Sequence, residues 1–121
     1  MAKVNLVSKK VQMTLADIIK YQLITYCYIN KITLNESDLT CLTLLGVSGK
    51  YNLTDFCMFA SQQNIFKNPQ SVRNCLVKLE KHDLIQKERK NKKIISLSSD
   101  INVQVAGNIV LDYKIIHIAT T

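Results

Sequence analysis

The chain has 121 residues, 47% of them hydrophobic and 21% charged, with one Pro and three Gly. That length suits one domain with one hydrophobic core and no need of disulfide or metal support, and it leaves no apolar run near the ~20 residues of a membrane span. The net charge is +7, and its placement says more than its size.

In chain order, residues 1–13 read as an extended arm, with Val4, Leu6, Val11 and Met13 as its apolar positions. Lys3, Lys9 and Lys10 are not followed by an apolar stretch, because Gln12, Thr14 and Asp17 interrupt it. A signal peptide is therefore not expected.

Four helix starts share one chemical device. Thr14, Asn35 and Asn52 each precede an Asp three residues on: Asp17, Asp38 and Asp55. Each capping side chain can accept from an otherwise unpaired backbone N–H, and each Asp faces the positive helix end. The fourth start is Asn68-Pro69, with Asn as cap and Pro at the first helical position, where its missing N–H costs nothing.

These starts predict helices over 15–30, 36–45, 53–62 and 69–82. The first carries an apolar stripe of Leu15, Ile18, Ile19, Leu23, Tyr26 and Cys27. The second is apolar on most sides through Leu39, Cys41, Leu42, Leu44 and Leu45, as a buried central helix is, and is expected to end before Gly46 and Gly49. The third points Phe56, Cys57 and Ala60 inward. The fourth repeats Val72, Cys75, Leu76 and Leu79 at i, i+3, i+4, i+7.

The period then changes. Residues 84–89 and 93–97 read as two strands around a Lys90-Asn91-Lys92 turn. A second hairpin is expected over 98–121, where Ile101, Val103 and Val105 alternate with polar residues and Ile109, Leu111, Tyr113 and Ile115 do the same. Pairing the buried faces selects a three-residue loop, Ala106-Gly107-Asn108. The arm at 1–13 is a candidate to join this sheet.

The order helix, helix, helix, basic hairpin resembles the winged helix-turn-helix superfamily, nearest to MarR-like DNA-binding domains. The resemblance covers about 35–97, and its most specific part runs from Asn68-Pro69 to Leu84-Ile85. In that family the recognition helix ends in leucine, acid, base, any residue, glycine, leucine, isoleucine and runs straight into the wing. Leu79-Glu80-Lys81-His82-Asp83-Leu84-Ile85 keeps that pattern with Asp83 in place of the glycine. The wing has Arg89-Lys90-Asn91-Lys92-Lys93 instead of the family's Asp-x-Arg signature. The β-rich C-terminus replaces the family's long dimerisation helix, so the resemblance implies the fold module and not the dimer.

The expected fold class is thus α+β: one winged-helix domain over 1–121, with an extended arm at 1–13, four helices and a basic wing at 14–97, and an extra C-terminal β-hairpin at 98–121. Residues 67–93 hold nine basic side chains (Lys67, Arg73, Lys78, Lys81, Lys87, Arg89, Lys90, Lys92, Lys93) against three acids (Glu80, Asp83, Glu88), which leaves +6 of the total +7. A polyanion suits such a patch.

The resemblance implies a transcriptional regulator of double-stranded DNA, with 69–82 in the major groove and the wing 84–97 on the backbone or minor groove. Gln70, Ser71, Arg73, Asn74, Lys78 and Lys81 lie opposite the buried stripe. Arg73 suits guanine, Gln70 or Asn74 suits adenine, and Lys67, Lys78, Lys81, Arg89, Lys90 and Lys92 suit phosphates.

The alternative is a winged-helix protein-interaction module in a homo-oligomeric assembly, such as a phage virion or tail component, since fold does not fix function. The small size and Lys/Ile/Asn-rich composition are of phage or mobile-element type. The expected location is the cytoplasm, or the host cytoplasm or virion if the chain is phage-encoded.

No catalytic constellation, cofactor motif or metal pattern emerges, and the chain is not expected to be an enzyme. His82 and His117 stand apart. Cys27, Cys41, Cys57 and Cys75 form no C-x-x-C pair and read as buried thiols. Tyr21, Ile24 and Tyr28 make a second stripe on the first helix, open to two readings: cover by the extra hairpin, or a subunit contact in a homo-oligomer.

Overall fold

The computed structural model of the chain describes residues 2–6, 13–64, 66–104 and 114–118. Among the described residues there are four helices, α1 (Leu15–Ile29), α2 (Glu36–Ser48), α3 (Leu53–Ser61) and α4 (Pro69–Lys81), and five short strands. The strands are β1 (Ala2–Leu6), β2 (Tyr51–Asn52), β3 (Ile85–Lys87), β4 (Ile94–Leu97) and β5 (Lys114–Ile118).

The helices start where the caps predict. Thr14 Oγ1 accepts from the Asp17 amide at 3.1 Å, and Asn35 Oδ1 accepts from the Asp38 amide at 2.8 Å. In both, the Asp carboxylate accepts in turn from the cap residue's own N–H. Asn52 and Asn68 cap α3 and α4 in the same way through the amides of Asp55 and Ser71.

Helix α2 is the centre of the core. Cys41, Leu42 and Leu45 are fully buried, and α2 packs against α1, α3, α4 and β4. It does not end at Gly46, as the sequence led us to expect. A Cβ on Gly46 would meet Ile19 Cγ2 at 2.9 Å and Leu97 Cδ1 at 3.3 Å. This glycine therefore lets α1 and β4 approach the helix closely, and the stop falls at Gly49, whose φ of 79° closes the helix. On α1 only Ile19, Leu23 and Cys27 are buried, and Leu15 is exposed.

Antiparallel β2, β4 and β3 form one sheet in the order β2-β4-β3. Two residues long, β2 escapes the sequence pattern. Its Tyr51 stacks on Phe59 at 5.9 Å and meets Phe56 edge-on at 5.5 Å, which ties the sheet to α3. The run α2-β2-α3-α4-β3-β4 is a winged helix-turn-helix, with α1 added before it.

The hairpin expected over 98–121 is not found among the described residues, whereas the pairing expected of the N-terminal arm is. Strand β5 pairs antiparallel with β1, from Ala2 opposite Ile118 to Leu6 opposite Lys114, so the arm does join it. Residues 101–104 form no strand. Ile101 and Val103 still turn toward the core, and the place of a strand partner is taken by Gln22 of α1. Its side-chain amide donates to the Gln104 carbonyl and accepts from the Gln104 N–H, both at 2.8 Å. The expected Ala106-Gly107-Asn108 turn lies outside the described residues.

The turn from α4 into the wing is a Schellman motif. The Asp83 N–H donates to the Glu80 carbonyl and the Leu84 N–H to the Leu79 carbonyl, both at 3.0 Å, with Asp83 at φ 59°. That left-handed conformation strains any residue with a Cβ, Asp less than most. Replacing Asp83 with Gly is expected to stabilise the fold by roughly 1 kcal/mol, raising the thermal midpoint by a few degrees. A lowered midpoint would show that the Asp83 side chain supports the turn.

Candidate nucleic-acid interface

The helix-turn-helix is α3, residues 62–68 and α4. Val72, Cys75, Leu76 and Leu79 bury one face of α4. At about 3.6 residues per turn, the opposite face is centred on Gln70, Asn74, Val77 and Lys81, all exposed. Arg73 flanks it on one side, Ser71 and Lys78 on the other.

These side chains are not equivalent. Gln70 Nε2 donates to Asn74 Oδ1 at 3.0 Å, so the two amides stand as a pair. The Ser71 hydroxyl is engaged with the cap residue Asn68 at 3.2 Å. Arg73 is half-buried on the side of α3. Burial pushes the Cys57 thiol of α3 up from its ordinary pKa, and the Arg73 guanidinium opposes that rise.

Lys78 is held by Asp38. Its ammonium pairs with Asp38 Oδ2, and the Cys75 Sγ–H donates to Oδ1 of the same carboxylate at 3.3 Å. Asp38, only 5% exposed, is therefore both the capping acid of α2 and the anchor of α4. Burial pushes its carboxyl up, but hydrogen bonds from Lys78, Cys75 and the Asn35 amide outweigh that and leave its pKa below the usual value. The Cys75 thiol is driven far up by its hydrogen bond with Cys41, by burial and by the Asp38 charge. It stays a neutral donor. All four cysteines are free and buried.

In the wing, β3 is shorter than the sequence suggests, and residues 88–93 make the turn. Asn91 shapes it: its Oδ1 accepts from the Lys93 amide and its carbonyl from the Ile94 amide, both at 3.1 Å. Arg89, Lys90, Lys92 and Lys93 are exposed on this turn. Glu88 is paired with Lys50 at 2.7 Å, and Glu80 lies 3.8 Å from Lys87. Among the described residues, Lys67, Arg73, Lys81, Arg89, Lys90, Lys92 and Lys93 make no ion pair. The pairing of Lys50 and the second role of Asp38 leave no local signal in the sequence, because their partners are remote in the chain. The exposure of Val77 is likewise seen only in the structure.

His82 is exposed at the end of α4, and His117 pairs in register with Lys3 in the β1–β5 ribbon. Among the described residues, no three His, Cys, Asp or Glu side chains gather as metal ligands, and no helix is long and apolar enough to cross a membrane.

No family model matches the chain, and no curated protein matches it either. Among solved structures it is similar to a zinc uptake regulator complexed with zinc and DNA. The TM-score is 0.58 and the identity 17%, over 72% of this chain and 58% of that one. The likeness is one of fold, and the chain spans less than two thirds of that regulator's length.

The Asp38 tether has a measurable consequence. Folded Asp38 holds its proton less tightly than an unfolded Asp, so its contribution is full above the unfolded pKa of ~3.9. It is lost as pH falls through the lower folded value. Asp38→Asn is expected to cost about 1–3 kcal/mol at pH 7 and distinctly less near pH 3, by denaturant melts. A cost independent of pH would contradict the charged anchor.

Proposed function

We propose that the chain is a DNA-binding transcriptional regulator that sets α4 in the major groove and the wing turn on the backbone or minor groove. The observation that carries this reading is where the unpaired cations lie. The acids Glu80 and Glu88 are matched by Lys87 and Lys50, so the surplus belongs to the outer side of α4 and the 88–93 turn. Those are the two parts with which a winged helix meets a duplex. The fold shared with a regulator complexed with DNA supports the same reading. Within the superfamily, the Leu79–Ile85 segment keeps nearest to MarR-type regulators.

Gln70, Asn74 and Arg73 have base-reading chemistry, and Lys67, Lys81, Arg89, Lys90 and Lys92 are phosphate contacts. Lys78, already neutralised by Asp38, positions α4 more than it adds charge to the interface.

Duplex affinity measured over a salt series is expected to fall with a log–log slope of about −0.9 per phosphate contact. Arg73→Ala is expected to relax sequence preference at one base pair by roughly 1–3 kcal/mol. Lys90→Ala with Lys92→Ala is expected to weaken all sequences alike. A flat salt dependence would contradict the regulator reading.

One observation favours self-association beside this. Tyr21, Ile24, Tyr28 and Ile29 are exposed on α1 at 49%, 38%, 84% and 70%, an apolar face on the side of the helix away from its core residues Ile19, Leu23 and Cys27. A second copy of the chain meeting this face would set two recognition helices for two half-sites. Mass in solution at micromolar concentration is expected to exceed that of a monomer and to fall to it in Ile24→Asp. A monomeric wild type would remove this contact.

A further inference from the structure

Val77 is the one large apolar side chain exposed on α4, at 50%. An exposed helical position ordinarily favours a polar residue or Ala. Valine there is opposed twice, by its contact with water and by its β-branch, which loses χ1 freedom in a helix. Nothing in the core needs it, because Val72, Cys75, Leu76 and Leu79 complete the buried face.

Its neighbours on the outer face are the Gln70–Asn74 amide pair and Lys81. The hydrogen bond within that pair leaves Gln70 Oε1 as an acceptor and Asn74 Nδ2 as a donor. Those are the two functions that the major-groove edge of adenine answers with its N6 amino group and N7. An apolar group set beside such a pair has one matching feature in the major groove, the C5-methyl of thymine.

We infer that Val77 is a specificity-determining residue that reads a thymine methyl, next to an adenine read by Gln70 and Asn74. The inference rests on the DNA-binding reading. The helix rise of ~1.5 Å per residue puts Val77 about 4.5 Å along the axis from Asn74 and about 10 Å from Gln70. With base pairs ~3.4 Å apart, the thymine lies one or two base pairs from the adenine, and the face spans about three steps.

The test removes the methyl alone. The full chain first selects a preferred duplex from a randomised pool at fixed salt. Each thymine of that duplex is then replaced in turn by deoxyuridine, and affinity is read by fluorescence anisotropy. One replacement is expected to weaken the wild type about fourfold, the worth of one buried methyl-sized group.

In Val77→Ala, which keeps only the Cβ methyl, the same replacement is expected to have a clearly smaller effect. Val77→Thr, which keeps a β-branch and a methyl, is expected to retain the sensitivity. Ala raises helix propensity at this position, so that variant keeps its fold. Selective DNA binding with no deoxyuridine effect at any position would overturn the assignment and leave the regulator reading standing. So would an effect that is undiminished in Val77→Ala. Failure to select or bind any duplex would overturn the regulator reading, and this inference with it.

Discussion

Everything in this fold depends on burying α2 from all sides. Cys41, Leu42 and Leu45 leave it no solvent face along its middle, so α1, α3, α4 and β4 must each supply a surface to it. Two residues make that closure fit. Gly46 removes the side chain that would hold off Ile19 and Leu97. Asp38, at the other end of the helix, replaces apolar contact with a carboxylate that binds Lys78 and Cys75 of α4. Helix α4 is thus seated by its apolar stripe and tied to α2 by a charge pair in which only the carboxylate is buried. The same carboxylate accepts from the Cys75 thiol, so two residues of α4 meet one residue of α2.

The electrostatics follow from that seating. A buried carboxylate holds the Lys78 charge close to the body of the domain, and Lys50 reaches across to match Glu88 at the base of the wing. These pairs subtract from both signs, so they leave the surplus unchanged while moving it outward, to Lys81 on α4 and to Arg89, Lys90, Lys92 and Lys93 on the turn. Asp83, the third acid of the segment, stands at the turn where α4 passes into the wing. That turn couples the two cationic elements, so the angle of the wing is set by where α4 ends.

What could be read from the sequence was what is local. A cap and its acid lie three residues apart, and three helix starts were legible for that reason; the fourth was legible from the adjacent Asn68-Pro69. The α4 stripe and the αL tolerance of Asp83 are local too. What failed was what depends on a distant partner. Gly46 and Gly49 look alike as helix stops, and only the packing of Ile19 and Leu97 tells them apart. Two residues of β2 carry no period, since their pairing with Ile94 and Ile95 defines the strand. The alternation at 101–104 was real, but its hydrogen-bonding partner is the Gln22 side chain, 82 residues away. At the candidate interface the polar face of α4 was legible. That Lys78 is held by Asp38, and that Ser71 is engaged by Asn68, required the structure.

The central claim is that α4 and the 88–93 turn meet a duplex together. Backbone amide chemical shifts recorded while duplex DNA is added to the full chain test it residue by residue. The moving resonances are expected to cluster at 68–81 and 88–93, with α1 undisturbed. Shifts confined to the α1 face of Tyr21, Ile24 and Tyr28, or none at all, would contradict it.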